Sequence, residues 1–393
     1  MSGFVSKVKN CVTESIIRIF NCFPIKNNKI FLYSYYGSQY GCSPKYISEY
    51  LVENCTDKYD VVWAFNDIKS KEDIKGIRKV KVMSLKYFYE LCTSKVIITN
   101  FRTTEMFKKR KNQYYIQTWH SSLRLKQIEK DAEDTLPPNY VEMSKKDSKK
   151  LDLLMSGCKF STNIFKRAFW YDGEIFEQGT PRNDILFGEK NDLKKIVKDR
   201  LNIDNDKKII LYAPTFRKNN DLSVYNINYK KTLSSLKEKF GGEWVFLVKL
   251  HPHLISKSKE LVYGDDVMDV TSYDDIQELL SVADVLISDY SSLMFDFGLT
   301  ERPCFLYVPD LESYIQSDRR LYFDINELPF ISAKSNEELS NEIVNFDGDK
   351  YKKNLDKFSR EIGSFESGKC CEELEKRLEK ICCIDSVKFR MKK

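Results

Sequence analysis

Few folds can accommodate the stretch Tyr273–Pro303, YDDIQELLSVADVLISDYSSLMFDFGLTERP. It reads as a helix, a buried strand, a polar turn and a second helix. Asp274 and Asp275 supply an N-cap and first-turn charge for a helix over Ile276–Val282, whose apolar residues Ile276, Leu279, Leu280 and Ala283 recur at helical spacing. Val285-Leu286-Ile287 is a short apolar run, as a parallel strand covered on both faces requires. The strand empties into Ser288-Asp289-Tyr290-Ser291-Ser292, and Leu293–Gly298 opens the next helix. Backbone N–H groups and two hydroxyls gathered at the carboxyl end of such a strand suit an anion. The sequence therefore predicts a phosphate site at Ser291 and Ser292.

The rest of the chain repeats this βα rhythm. Strands are expected at Ile30–Tyr35, Asp60–Phe65, Val80–Met83, Val96–Thr99, Tyr114–Trp119, Ile209–Ala213, Trp244–Lys249, Val267–Val270 and Cys304–Val308. Helices fall between them, including Lys45–Glu53, Ser84–Cys92 and a helix from an N-cap at Ser161 through Phe169. Alternation of this kind implies parallel, helix-covered sheets. At 393 residues one core is too few, so two Rossmann-like domains facing a central cleft are expected: residues 1–186, then 187–370. Residues 371–393, a helix and a basic tail ending Lys388–Lys393, are expected to return to the first domain.

Residues 4–23 form an amphipathic helix with Val5, Val8, Val12, Ile16, Ile19, Phe20 and Phe23 on one side and Lys7, Lys9 and Arg18 interspersed. It fits either an interfacial membrane helix or one docked on its own domain. No apolar run reaches the length of a spanning helix. The formal net charge of +6 suits anionic substrates or an anionic membrane surface but is too small to argue for nucleic acid. Eleven cysteines without a leader point to a reducing cytoplasm, and neither Cys370-Cys371 nor Cys382-Cys383 has zinc-site spacing. No metal cage and no tightly bound cofactor is expected. Magnesium travelling with a diphosphate substrate stays open, and so does a homo-oligomer.

Chemistry-bearing residues gather at predicted strand ends. Of three histidines, His120 and His251 each end a strand, one per half, and His253 follows closely. An imidazole there can take a proton from a hydroxyl or give one to a phosphate oxygen. Arg217, after Ala213-Pro214-Thr215-Phe216, can grip phosphate through its fork. Arg182 in the turn Gly179–Asp184 can do the same or pair with Asp184. Asp296, one turn past Ser292, faces the same pocket or buttresses the serine turn. Arg319-Arg320 reaches phosphate or is plain surface. The P-loop, dinucleotide, HExxH and GxSxG patterns do not occur.

These segments together resemble the CDP-glycerol glycerophosphotransferase family, the teichoic acid polymerases and primases. The matching pieces are Thr118-Trp119-His120-Ser121-Ser122-Leu123 with Lys126, Gly179–Asp184, Tyr212-Ala213-Pro214-Thr215-Phe216-Arg217, Lys249-Leu250-His251-Pro252-His253, and Asp275–Leu280 through Ser288–Ser292, Phe295-Asp296 and Arg302-Pro303. The resemblance implies a GT-B-type fold. It also implies transfer of glycerol phosphate, or ribitol phosphate, from a CDP-alditol to a hydroxyl of a lipid-linked or polymeric glycan, with release of CMP. In that scheme His120 is the base, His251 assists the leaving group, and Arg217, Ser291, Ser292, Asp296 and Arg182 hold the CDP-alditol. The enzyme would sit at the cytoplasmic face of the membrane. One departure stands out: the family's W-H-G-T is Trp119-His120-Ser121-Ser122 here, and losing the glycine changes how closely backbone can approach a ligand. The competing expectations are a GT-B glycosyltransferase using a nucleotide sugar, and a non-catalytic membrane-associated scaffold.

Overall fold

The computed structural model describes residues 2–104, 106–188, 191–217, 225–251, 254, 264, 266–317 and 320–390, with side chains described between 11 and 382. The chain divides into two compact units. Unit 1 comprises Met1–His120, Ile128–Asp184 and Phe365–Lys393, and unit 2 comprises Ser121–Gln127 and Ile185–Ser364.

In unit 1, β1 (Lys26–Tyr33), β2 (Asp60–Phe65), β3 (Arg78–Lys81), β4 (Ser94–Thr99), β5 (Tyr114–Gln117), β6 (Leu153–Met155) and β7 (Glu174–Phe176) form a parallel sheet in the order β3-β2-β1-β4-β5-β6-β7. In unit 2, β8 (Lys208–Tyr212), β9 (Trp244–Val248), β10 (Val267–Asp269), β11 (Val285–Ser288), β12 (Cys304–Tyr307) and β13 (Ile331–Ala333) are parallel in the order β10-β9-β8-β11-β12-β13. Both are doubly wound sheets of the Rossmann type. Every residue of β4, β9 and β11 is buried, which is why Val96–Ile98, Trp244–Val248 and Val285–Ile287 read as continuous apolar runs rather than alternating ones. Strand order reverses between β1 and β4 and again between β8 and β11. Crevices open at the carboxyl ends of such pairs, so each unit has one place predisposed to hold a ligand.

The first helix, α1 (Ser2–Phe20), ends three residues before Phe23. Thr13 and Ile17 are buried, Phe20 and Phe23 pack edge-on against Tyr89 at 5.7 Å, and Val12, Ile19 and Phe23 stay exposed. The helix is docked on its own unit while keeping apolar side chains outside. Next come α2 (Cys42–Asn54) and α3 (Leu85–Thr93); Ser84, expected as the first residue of the latter, is instead its N-cap. The final helix, Cys370–Arg390, belongs to unit 1. The Asp184 carboxylate accepts the N–H groups of Cys370 at 3.0 Å and Cys371 at 2.7 Å, satisfying orphan donors of its first turn. Glu366 accepts from Thr180 N at 3.1 Å and Asn183 Nδ2 at 3.2 Å. Gly179 is obligatory in this arrangement: its φ is +96°, and a Cβ would lie 3.1 Å from Glu366 Oε2.

Some local readings shift. The helix expected to be capped by Ser161 spans Lys159–Ala168 and is capped by Cys158, whose sulfur accepts from Ser161 N. The strand expected at Val80–Met83 is Arg78–Lys81, and Met83 turns left-handed with φ 64°. The helix Pro138–Ser148 has no apolar stripe to announce it. Its buried face is Val141, Ser144, Asp147 and Ser148, held by Arg102 through Asp147 and Ser148.

Candidate active site

At the unit 2 switch point, the loop after β8 and the turn after β11 are stitched together. Ser288 Oγ donates to Ala213 O at 2.8 Å, and the Asp289 carboxylate accepts Thr215 N at 2.8 and 3.0 Å. Arg217 lies buried in this junction. Its Nε donates to Asp310 at 2.8 Å, its Nη2 meets Asp289 at 2.9 Å, and its Nη1 donates to Thr215 O at 2.6 Å. Its guanidinium carbon sits 4.9 Å from the ring centroids of both Tyr290 and Tyr314, which stack on each other at 3.7 Å. Burial alone would lower the Arg217 pKa. Asp289 and Asp310 more than offset it, and the group is held charged. Asp289 and Asp310 thus hold the Arg217 guanidinium in the frame of this turn.

Beside this junction, the His251 ring lies 5.6 Å from Phe216, at the exposed end of the segment after β9. Lys249, two residues earlier, is buried with Nζ donating to Thr271 O at 2.6 Å, and burial pushes its pKa down to about 8. Ser291 and Ser292 are half-buried and reachable. Ser291 Oγ accepts Leu293 N and Ser292 Oγ accepts Leu125 N, both at 3.4 Å. The helix that follows, Leu293–Gly298, is only six residues long, so an anion here depends on the turn's own donors more than on a helix dipole. Thr215 Oγ1 is a buried hydroxyl with no protein partner, the kind of group a bound ligand satisfies. Asp296, wholly buried, accepts from Ser122 Oγ at 2.9 Å and Gln277 Nε2 at 3.4 Å.

At the unit 1 switch point, Tyr35 N donates to Asn100 Oδ1 at 3.0 Å, and Asn100 Nδ2 is buried with no protein partner. His120 Nδ1 lies 3.3 Å from Asn100 O. A carbonyl can only accept, so Nδ1 carries the hydrogen in the neutral ring and Nε2 carries the lone pair, as a general base needs. Trp119, its buried neighbour, has φ 53°, an unusual conformation for a bulky residue. Gln117 Oε1 accepting Trp119 N at 3.0 Å and the edge of Phe169 at 5.1 Å hold it there. The left-handed residue of the motif is thus Trp119. Ser121 has no positive φ, so the missing family glycine costs no backbone strain.

Arg182 belongs to unit 1, where its Nη1 reaches Cys42 Sγ at 3.8 Å at the start of α2. The turn that carries it is the socket for the returning chain. His253 and Arg319 lie outside the described residues. Arg320 is exposed, with its carbonyl accepting Gln127 N at 2.8 Å. Among the described residues, no group of three or more His, Cys, Asp or Glu side chains gathers in a way that could hold a metal ion. Two contributors escaped the sequence reading: Asp310, which looks like a plain loop acid beyond β12, and Asn100, whose importance comes from its backbone oxygen.

The sequence profile described as CDP-Glycerol:Poly(glycerophosphate) glycerophosphotransferase matches residues 15–380. The chain belongs to that family. As a glycerophosphotransferase it is 36% identical over 327 residues to a teichoic acid poly(glycerol phosphate) polymerase of Bacillus spizizenii, covering 79% of this chain and 82% of the relative. A polymerase of the same description from Staphylococcus epidermidis is 33% identical over 362 residues, covering 88% of this chain but only 50% of that protein. The wall teichoic acid polymerase TagF, solved as a histidine-to-asparagine variant with CDPG, overlays with TM-score 0.83 at 31% identity, covering 97% of each chain. The two doubly wound units of this glycerophosphotransferase are therefore those of a GT-B-like chain.

Proposed function

We propose that this chain moves glycerol phosphate, or ribitol phosphate, from a CDP-alditol to a hydroxyl of a lipid-linked or polymeric glycan in teichoic acid or related surface-polymer synthesis. The observation that carries the reading is that the family's motifs fall at strand ends beside the two switch points: His120 beyond β5, Thr215–Arg217 after β8, His251 after β9 and Ser291-Ser292 after β11. The acceptor oxygen attacks the alditol-linked phosphorus while His120 Nε2 takes its proton. The bond from that phosphorus to the CMP phosphate oxygen breaks, and the electron pair leaves with CMP. His251, the serine hydroxyls and the Thr215 hydroxyl stabilise the charge that develops on the diphosphate. Arg217 acts through Asp289 and Asp310 to set the shape of this turn. Magnesium, where it takes part, travels with the diphosphate rather than in a protein cage.

The partner surface in this reading is the cytoplasmic leaflet. Support comes from exposed Val12, Ile19 and Phe23 beside Arg18 and Lys26. Among the described residues no helix is long and apolar enough to cross a membrane.

The test is release of CMP by the purified full chain from CDP-glycerol and CDP-ribitol, with UDP- and GDP-sugars as controls and poly(glycerol phosphate)-bearing lipid as acceptor. Turnover of a CDP-alditol is expected, with His120→Ala and His251→Ala each slower by about 10²–10⁴ at unchanged melting temperature. Turnover of a nucleotide sugar instead, or full activity in either variant, overturns the assignment.

A further inference from the structure

The seven residues after His120 leave the strand end in an unusual way. They issue from β5 of unit 1, yet Ser121–Gln127 are part of unit 2. Within that unit they are fastened along their whole length. Ser122 Oγ donates to Asp296 Oδ1 at 2.9 Å, and Leu125 N donates to Ser292 Oγ at 3.4 Å. Leu125 O accepts Tyr322 N at 2.7 Å, Lys126 bridges antiparallel to Leu321, and Gln127 N donates to Arg320 O at 2.8 Å. Arg124 Nη2 folds back onto Ser121 O at 3.0 Å, and Lys126 Nζ sits 5.2 Å over the Tyr314 ring. Leu123 and Leu125 are fully buried.

Asp296 is the deepest of these anchors. A carboxylate facing a diphosphate would repel it, and this one is turned instead toward a hydroxyl and an amide. It lies in the six-residue helix that follows the serine turn, four residues past Ser292, and both residues hold the same segment. The serine turn and the segment therefore cannot shift independently.

We propose that Asp296 is a positioning residue that acts through Ser122. Resting on His120 as the base, as argued above, the Ser122–Asp296 hydrogen bond fixes the segment that begins one residue after that imidazole. The Leu125–Ser292 contact ties the same segment to the turn that receives the donor. Asp296 then contributes to placing the base and not to holding CDP. Ser122 takes the threonine position of the family's W-H-G-T pattern, and the hydroxyl is what the contact uses.

The experiment compares full-length Ser122→Ala, Ser122→Thr, Asp296→Asn and the Ser122→Ala/Asp296→Asn double variant with the wild-type chain. It measures kcat and donor KM by CMP release, Kd for CDP-glycerol by calorimetry, and melting temperature. Ser122→Ala is expected to lower kcat by about 10- to 100-fold, the value of one hydrogen bond to a carboxylate, and Asp296→Asn, whose amide keeps an uncharged form of that bond, by less, with donor Kd within about twofold of wild type in both. The double variant should be no slower than Ser122→Ala alone, and Ser122→Thr should keep near wild-type kcat. A weakened donor Kd in Asp296→Asn with none in Ser122→Ala makes Asp296 a donor ligand and overturns the proposal. So do additive effects, or a Ser122→Ala chain with unchanged kcat. If Asp296→Asn fails to fold, the contrast between Ser122→Ala and Ser122→Thr decides. Wild-type turnover of CDP-glycerol checks the underlying function separately, since the inference is read from the ratios among variants.

Discussion

At the scale of single residues, burial decides what an ionisable group can do. Lys249 stands two positions before His251, and desolvation lowers its pKa from the ordinary 10.5 to about 8. Below about pH 8 both native and unfolded chains carry the proton, and the native state bears the cost of the buried charge. Between about 8 and 10.5 the unfolded chain binds a proton the native chain has shed, so this group makes stability rise with pH. The urea midpoint of wild type minus that of Lys249→Met should increase across that window; a flat difference would mean the amine is hydrated. Arg217 teaches the complementary lesson. Its identity and its place after β8 are evident in Ala213-Pro214-Thr215-Phe216-Arg217, but its two carboxylate partners lie 72 and 93 positions away in sequence, at Asp289 and Asp310. Spacing along the chain carries no signal for either, so a paired framework residue and a phosphate clamp look the same on paper. Arg302 is similar: it donates to the carbonyls of Leu280, Ser281 and Ala283, closing the end of the helix Ile276–Val282.

At the scale of elements, a buried ionic network locks the first half of unit 1. Lys29 on β1 donates to Glu90 on α3 at 2.6 Å and to Thr93 at 2.7 Å, and Arg78 on β3 joins Glu90 at 2.5 Å and Asp60 on β2 at 2.7 Å. Burial raises the Glu90 pKa, but hydrogen bonds from Arg78 and Lys29 outweigh it and bring the group down to about 2. A carboxylate with a depressed native pKa contributes stability that is complete above about pH 4.5 and fades as pH falls toward 2. Glu90→Ala is expected to destabilise by about 3–5 kcal/mol at neutral pH, because it leaves Lys29 buried and unpaired. Chemical denaturation should also find the gap between wild type and Glu90→Gln shrinking between pH 4.5 and 2. A pH-independent gap would place the effect in packing instead. The strands of this network were easy to read from their apolar runs. The network was not, since each member looks like an ordinary surface charge until the sheet order β3-β2-β1 brings them together.

At the scale of the whole molecule, the chain makes two excursions between units. It enters unit 2 briefly at Ser121–Gln127, and it returns to unit 1 from Phe365. The return was expected for the last helix. The short excursion was not, because nothing in Ser121–Gln127 differs in composition from a loop. The membrane reading also belongs to this scale. If α1 serves as a surface anchor, replacing both Val12 and Ile19 with Asp should reduce flotation with vesicles containing anionic lipid, without lowering the melting temperature. These side chains are exposed, while Thr13 and Ile17 make the buried contact. Unchanged flotation would return α1 to a purely structural role.

The sequence by itself determined the class of fold, most of its strands, and the family. Hydrophobic periodicity and the turn chemistry after each strand are local properties, and local properties are written in neighbouring residues. Only the tertiary structure decided which side chains share a charge. It paired Arg217 with Asp289 and Asp310, turned Asp296 toward Ser122, set Asn100 O against His120, and made the Gly179–Asp184 turn a socket for Cys370 and Cys371. Each of these depends on residues distant in the chain meeting in space, where a single partner changes what a side chain can do.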